Sequence, residues 1–374
     1  MRIAINTRFL LKNKLEGIGW FTYEVSKRLV EQHPEHEFLF FFDRPFEEQF
    51  VFAENVNPIV LSPPARHPIL FYIWFEYAVA RALKKYKADI FLSPDNFCSL
   101  RTKVPTVLVV HDLAYAHFPE QMRFRDRFYY CRFMPQFLRK ATQIVTVSKF
   151  TKQDILDLHS IDSESISVSY NGVRDVFQPI SKKEQTGIKA QFSGEKDYFF
   201  YIGAVHPRKN VHRLIAAFDD FKRRTRSDLK LLIAGRFSWQ TGAVKDAYEN
   251  AQHQADIEFL GYVNDALLPQ LMATAFALTY VSTFEGFGVP LLEAMHCEVP
   301  IITSEKSSMS EVVGDAAILV NPFKMNEISI AMQRILNNAD LRQQLVELGK
   351  EQRQKYSWQK ATDIVYRACL KSSS

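Results

Sequence analysis

The sequence predicts an α/β protein of two doubly wound domains, each a parallel sheet wrapped by helices, facing a central cleft. Three observations predict it. Short apolar runs alternate with amphipathic stretches from end to end, the pattern of repeated strand–helix–strand units. At 374 residues the chain exceeds what one ordinary core holds. The alternation is interrupted once near the middle, by a polar, turn-rich stretch at 178–196 that has room for a short helix.

The strands are read from their apolar runs. In the first half they fall at Ile3–Asn6, Phe38–Phe42, Asp89–Leu92, Thr106–Val110, Ile144–Val147 and Ile166–Tyr170. In the second half they fall at Tyr198–Ile202, Lys230–Ala234, Ile257–Leu260, Ala277–Val281, Ile301–Thr303 and Ala317–Val320. Helices fill most of the gaps. The division is a first domain over 1–177, a linker over 178–196, a second domain over 197–357 and a C-terminal helix over 358–374. Doubly wound sheets bind ligands beyond the carboxyl ends of their strands. The segments that follow Val110, Ile202 and Val281 are therefore where chemistry is expected.

The composition is that of a soluble globular protein, and a net charge of +5 does not call for nucleic acid as a general partner. The four cysteines, Cys98, Cys131, Cys297 and Cys369, form no C-x-x-C pair. This reads as a reducing, cytoplasmic compartment with no disulfide framework and no zinc site. The N-terminus lacks the apolar core of a signal peptide. The apolar stretch from Pro68 to Ala80 is broken by Glu76 and is too short to span a bilayer.

The segment Phe284-Glu-Gly-Phe-Gly-Val-Pro-Leu-Leu-Glu293 carries the most information. It reads as a strand end, a glycine turn and a helix start. Gly286 and Gly288 let the backbone turn sharply and approach a ligand. Pro290 suits the first helical position, and free amides at a helix start attract anions. Glu293 then lies in the first turn of an otherwise apolar helix, a charge that needs a partner such as a ligand hydroxyl. Strand–glycine–helix turns are also common without any ligand.

Other segments add to it. Gly203-Ala-Val-His-Pro-Arg-Lys-Asn210 follows a strand and precedes the amphipathic run Val211–Lys222. Arg208 as a fork and Lys209 as a point charge can hold a diphosphate, or they are two solvated surface cations. His111 and Asp112 end the strand at Val110, where His111 faces the cleft or is tied up locally. Glu16-Gly-Ile-Gly-Trp20 sits in the loop before a helix and is not a dinucleotide fingerprint, since Thr22 stands at the third glycine position. That argues against a nicotinamide-dependent oxidoreductase. The chain has no P-loop, no G-x-S-x-G, no H-E-x-x-H and no D-x-D pair for a metal on a nucleotide. The stretch Arg123–Lys140 mixes six cations and one acid, Asp126, with Phe and Tyr. Its plainer reading is an amphipathic surface helix. Its other reading is a helix that lies on an anionic membrane or grips a lipid-linked phosphate.

Together these segments resemble the retaining glycosyltransferases of family 4, which have the GT-B fold of two Rossmann-like domains. The matches run in order along nearly the whole chain. They are Gly17-Ile-Gly19, Val110-His-Asp112, Thr146-Val-Ser148, Tyr170-Asn-Gly-Val173, Gly203 through Asn210, Ala234-Gly-Arg236 and Leu260-Gly-Tyr-Val263. The paired-glutamate motif Glu285 to Glu293, Ser307 through Ala317, and Tyr356-Ser-Trp358 complete the set.

The resemblance implies a role for each site residue. Glu293 holds the ribose hydroxyls of a sugar nucleotide, and Gly261–Val263, with Val263 at its end, contacts the base. Glu285 and the amides of Gly286, Phe287, Gly288 and Val289 hold the donor sugar and phosphates. Gly203 and Leu292 join the substrate contacts, and Arg208 and Lys209 neutralise the departing diphosphate. His111 approaches the donor sugar, Gly19 leaves room for phosphate and acceptor, and the last helix crosses back onto the acceptor-binding first domain. No cofactor or metal is implied.

The implied activity is retaining transfer of a sugar, mannose from GDP-mannose as first choice, to a glycan or lipid-linked acceptor in surface polysaccharide assembly. A peripheral contact with an anionic membrane fits the same setting. The alternative is a non-catalytic sugar-nucleotide or glycan-binding subunit, which would be expected to lack His111, Lys209 or a motif glutamate. Acceptor contacts are expected from the stretches 10–19 and 63–73. Three residues depart from the family pattern: Glu298 for glycine, Ser310 for proline and Phe284 for tyrosine. The first implies an altered turn after its helix.

Overall fold

The computed structural model describes residues 1–12, 15–65, 67–236 and 242–373. Within the stretches expected to contact an acceptor, Asn13, Lys14 and Arg66 lie outside the described residues. The chain divides into two compact units, Met1–Gly172 with Ser357–Ser374, and Val173–Tyr356.

The first unit is built on a seven-stranded sheet: β1 (Arg2–Asn6), β2 (Glu37–Phe42), β3 (Val56–Val60), β4 (Ile90–Ser93), β5 (Thr106–Val110), β6 (Gln143–Thr146) and β7 (Ile166–Val168). The spatial order is β3-β2-β1-β4-β5-β6-β7, and every pairing is parallel. β4 and β5 are buried along their whole length, as helix-covered central strands must be, and so read as unbroken apolar runs. β3 is the strand the apolar pattern does not reveal. It carries Pro58, exposes Asn57 and Val60 and lies at the sheet edge, where a missing N–H is tolerated.

The C-terminal helix Trp358–Ser373 belongs to this unit and packs on the helix Gly17–Gln32 and on β5 and β6. Its Trp358, Ala361, Val365 and Cys369 form one buried stripe at helical spacing. A Cβ on Gly172 would come within 2.4 Å of the Trp358 amide nitrogen, so a glycine is required where this helix begins to pack.

The second unit has a six-stranded parallel sheet: β8 (Tyr198–Ile202), β9 (Lys230–Ala234), β10 (Ile257–Gly261), β11 (Ala277–Tyr280), β12 (Ile301–Ser304) and β13 (Ile318–Val320). The order is β10-β9-β8-β11-β12-β13. The stretch expected as a linker forms the helix Lys182–Phe192, started by a reciprocal capping box between Ser181 and Glu184. It falls inside the second unit, whose chain begins at Val173.

Both sheets reverse direction once, between β1 and β4 and between β8 and β11. Loops on either side of such a reversal diverge and leave a crevice at the carboxyl edge. The candidate residues cluster at these edges.

Candidate active site

In the second unit the loop after β8 and the loop after β11 are tied together. Thr283 donates from both its amide (2.8 Å) and its hydroxyl (3.0 Å) to the Arg208 carbonyl. The short turn Pro207–Lys209 ends at Asn210, which adopts a left-handed conformation that Asn tolerates better than most residues. Its buried side chain donates to Val281 O (3.0 Å) and Pro322 O (2.7 Å), and so clamps the ends of three strands. Arg208 and Lys209 are thereby aimed at Glu285.

Lys209 Nζ lies 2.5 Å from Glu285 Oε1, and Arg208 Nη1 lies 3.4 Å from Oε2. The Tyr280 hydroxyl accepts from Lys209 Nζ (2.9 Å) and donates to Glu285 Oε1 (2.8 Å). Burial alone would raise the Glu285 acid, but Lys209 and Arg208 outweigh it and hold the carboxyl below its ordinary range. The Glu285 backbone is gripped by two serines. Ser307 Oγ accepts from its amide (3.0 Å), and Ser308 Oγ donates to its carbonyl (2.8 Å). Tyr201 lies behind, stacked on Tyr280, with a buried hydroxyl that has no partner among the described residues.

The glycine turn follows. Gly288 has φ 93°, and a Cβ there would lie 3.0 Å from Leu291 Cδ1, so both conformation and space require glycine. The helix runs Val289–His296. Pro290 is its second residue rather than its first, and Glu293 is its fifth, one step past the first turn. The shift arises because Gly288 caps the helix and Val289 opens it. Leu292 is fully buried. Phe287 packs edge-on against Tyr356.

Glu293 is 8% exposed, and its carboxylate has no hydrogen-bond partner among the described residues. Burial pushes its acid up to about 7, against the pull of Arg174, with Asp265 adding to the rise. An acceptor in that state is suited to hydroxyl donors.

The loops after β8, β9 and β10 are laced together by Gly203 N to Ala234 O (3.0 Å), Val205 N to Arg236 O (3.2 Å) and Gly235 N to Gly261 O (2.7 Å). Tyr262, exposed next to Val263, carries the Arg236 guanidinium over its ring at 5.4 Å.

The first unit carries the other candidates. The His111 amide donates to Asn96 Oδ1 (2.8 Å), and Asn96 Nδ2 donates to Asp112 O (3.3 Å). His111 Nε2 lies 2.8 Å from the Pro94 carbonyl, and the ring stands edge-on to Phe21. Burial lowers the imidazole's basicity, and the Pro94 carbonyl, an acceptor, calls for a proton on Nε2. Gly17 and Gly19 lie inside the helix Gly17–Gln32, not in a loop before it. A Cβ on Gly19 would meet Phe9 O at 3.0 Å and Leu15 Cδ2 at 3.2 Å. These neighbours belong to the chain's own loop before the helix, so a side chain at position 19 would crowd it.

Arg8 was not among the residues expected from sequence. It is buried, 2.5 Å from Asp95 Oδ2, with its guanidinium within 4.6–5.6 Å of the ring centres of Phe9, Phe71, Phe75 and Phe97. It braces the loops after β1 and β4 beside Pro94.

Two family models cover most of the chain. "Glycosyltransferase Family 4" matches residues 15–176, and "Glycosyl transferases group 1" matches residues 182–352. The chain belongs to this family of glycosyltransferases.

Among curated relatives, this glycosyltransferase is 29% identical over 364 residues to O-antigen chain mannosyltransferase B of Escherichia coli, covering 94% of this chain and 95% of the relative. It is 28% identical to O-antigen chain mannosyltransferase RfbU of Salmonella typhimurium, covering 74% of each. Among solved structures, its fold matches Anabaena HepE in complex with UDP and glucose with a TM-score of 0.76, at 16% identity and 98% coverage of both chains. The two parallel α/β units are those of the GT-B fold.

The departure at Glu298 leaves a left-handed turn after the glycosyltransferase's Val289–His296 helix. Glu298 itself adopts φ 59°, a conformation glycine would take more easily, and its carboxylate pairs with Lys350 (3.2 Å) and Arg353 (3.8 Å).

Proposed function

We propose that this glycosyltransferase moves mannose from GDP-mannose to a hydroxyl of a glycan or lipid-linked acceptor in surface polysaccharide assembly, with retention of the anomeric configuration. The observation that carries the reading is the convergence of Arg208 and Lys209 on Glu285, beside a glycine-capped helix that holds Glu293, whose carboxylate has no hydrogen-bond partner among the described residues. Two fixed cations suit a diphosphate, the helix start suits its oxygens, and a buried carboxylate suits ribose hydroxyls. The choice of mannose rests on the relatives named O-antigen mannosyltransferases. The structural neighbour that holds UDP supports a nucleotide-sugar donor, with UDP as the competing base.

The chemistry follows from charge. Negative charge grows on the diphosphate as the sugar–phosphate bond breaks, and Arg208 and Lys209 stabilise it where it develops. The departing phosphate takes the acceptor proton on the face it leaves, which retains configuration.

The test is transfer from GDP-mannose labelled in the sugar to a lipid-linked polysaccharide precursor, with the product anomer read by NMR. An α-linked mannoside formed from the α-linked donor is expected. A β-linked product would overturn retention, and transfer only from a UDP-sugar would overturn mannose as the donor sugar.

A further inference from the structure

We propose that the helix Phe124–Lys140, with its neighbour Pro68–Ile73, forms a docking surface for an anionic lipid membrane. The inward face of the first helix is ordinary core, with Tyr129, Met134, Phe137 and Leu138 buried. Its N-terminal half turns a different face outward. Phe124 is 83% exposed and Phe128 is 62% exposed. Four residues apart, they project from the same side of the helix.

The neighbouring helix repeats the pattern with Ile69 and Ile73, 61% and 36% exposed and also four apart. The two helices pack through Phe71 on Tyr129 and Tyr72 on Phe133. The outward rings and isoleucines are therefore not needed for that packing, and nothing in the fold explains them.

Charge names the occupant. Arg123, Arg125, Arg127 and Arg132 are exposed around these rings, and among the described residues none pairs with a carboxylate. The only acid in the stretch is Asp126. Protein-binding patches tend to exclude charge from their apolar centre. Phenylalanine interleaved with arginine is instead the composition that sinks rings below a headgroup layer while guanidiniums bind its phosphates. No helix among the described residues is long and apolar enough to cross a membrane, so the contact is peripheral. The surface uses no residue of the sugar-nucleotide site, and its Pro68–Ile73 helix lies within the stretch expected to contact the acceptor, so the proposal deepens the lipid-linked-acceptor reading on which it rests.

The test is co-sedimentation of the full chain, without nucleotide or acceptor, with vesicles of phosphatidylcholine or of phosphatidylcholine and phosphatidylglycerol. Binding to the anionic vesicles alone, weakened by salt, is expected. Arg123→Glu with Arg127→Glu should lower that affinity by at least about 25-fold, counting about fivefold per arginine. Phe124→Ser with Phe128→Ser should lower it by about tenfold or more. Both variants should keep wild-type circular dichroism and nucleotide affinity, since neither pair is core or site. No vesicle binding, equal binding to neutral vesicles, or undiminished binding by both variants would overturn the proposal.

Discussion

Lys209 and Glu285 are joined end to end, Nζ to Oε1 at 2.5 Å, and the Tyr280 hydroxyl closes the pair into a triangle. The three groups come from two loops or strand ends on either side of the β8–β11 reversal. A cation held from two directions is fixed before the reaction begins, which is what stabilising a leaving group requires. Lys209→Ala should therefore lower kcat by about 100- to 1,000-fold and donor affinity far less. Equal losses in the two constants would refute a role centred on the transition state.

Tyr280 acts through Lys209 and is a positioning residue. Tyr280→Phe removes one buried hydrogen bond on each side and should cost about tenfold in kcat with little change in donor affinity. A loss confined to donor affinity would mean that the hydroxyl serves binding instead. Steady-state kinetics beside calorimetric donor titration separates the two.

Glu293 makes donor binding depend on pH. Its acid lies near 7 in the folded protein, and the proposed grip on ribose hydroxyls calls for the ionised form, which accepts through both oxygens. Affinity should rise by about tenfold between pH 6 and pH 8 and then level off. The same shift has a stability cost of opposite sign. Between the ordinary value of 4.5 and about 7 the native state holds a proton that the unfolded chain has released. Stability therefore falls as pH rises through that window, by up to about 3 kcal/mol. Glu293→Gln should raise the Tm at pH 8, leave it unchanged near pH 4, and bind donor poorly at both. A variant less stable than wild type at pH 8 would contradict the buried-charge account.

Gly235 holds the loops after β8 and β9 in contact. A Cβ there would fall 1.9 Å from the Gly203 carbonyl oxygen, and φ is 147°. Gly235→Ala must push the two loops apart and should cost about 1–3 kcal/mol along with donor affinity. Gly187, inside the helix Lys182–Phe192 with nothing within 4 Å of its Cβ position, is the control. Gly187→Ala should be neutral or stabilise by about 0.5–1 kcal/mol. Urea unfolding of both variants checks the contrast.

Arg8 and Asp95 form a buried pair inside a ring of phenylalanines. Arg8→Ala should destabilise by about 3–5 kcal/mol, because it strands the Asp95 charge. Arg8→Ala with Asp95→Ala should recover part of that loss, and no recovery would mean that Arg8 acts through aromatic packing alone.

The fold was legible because its parallel strands are buried on both faces and so stand out as apolar runs. Val56–Val60 escaped for the opposite reason: an edge strand with Pro58 and with Asn57 and Val60 exposed carries little of that signal. The motif residues were legible as types, because glycine turns, paired cations and a carboxylate in an apolar helix each imply unusual chemistry. Their supports were not. Ser307 and Ser308 clamp Glu285 across 22 and 23 residues, and Tyr280 reaches Lys209 across 71. Contacts between separate strand ends leave no local spacing to read. Arg8 looks like any surface arginine until the four rings around it are brought together by folding.

The central claim is that the second unit binds a sugar nucleotide through Glu293 and the Arg208–Lys209 pair. Calorimetric titration of a panel of nucleotides and sugar nucleotides, with Glu293→Ala as control, tests it most directly. Selective binding of GDP and GDP-mannose that is lost in the variant is the predicted result. Selective binding of UDP or its sugars would keep the site and discard the mannose donor. No binding by the folded protein, or equal binding by Glu293→Ala, would contradict the claim.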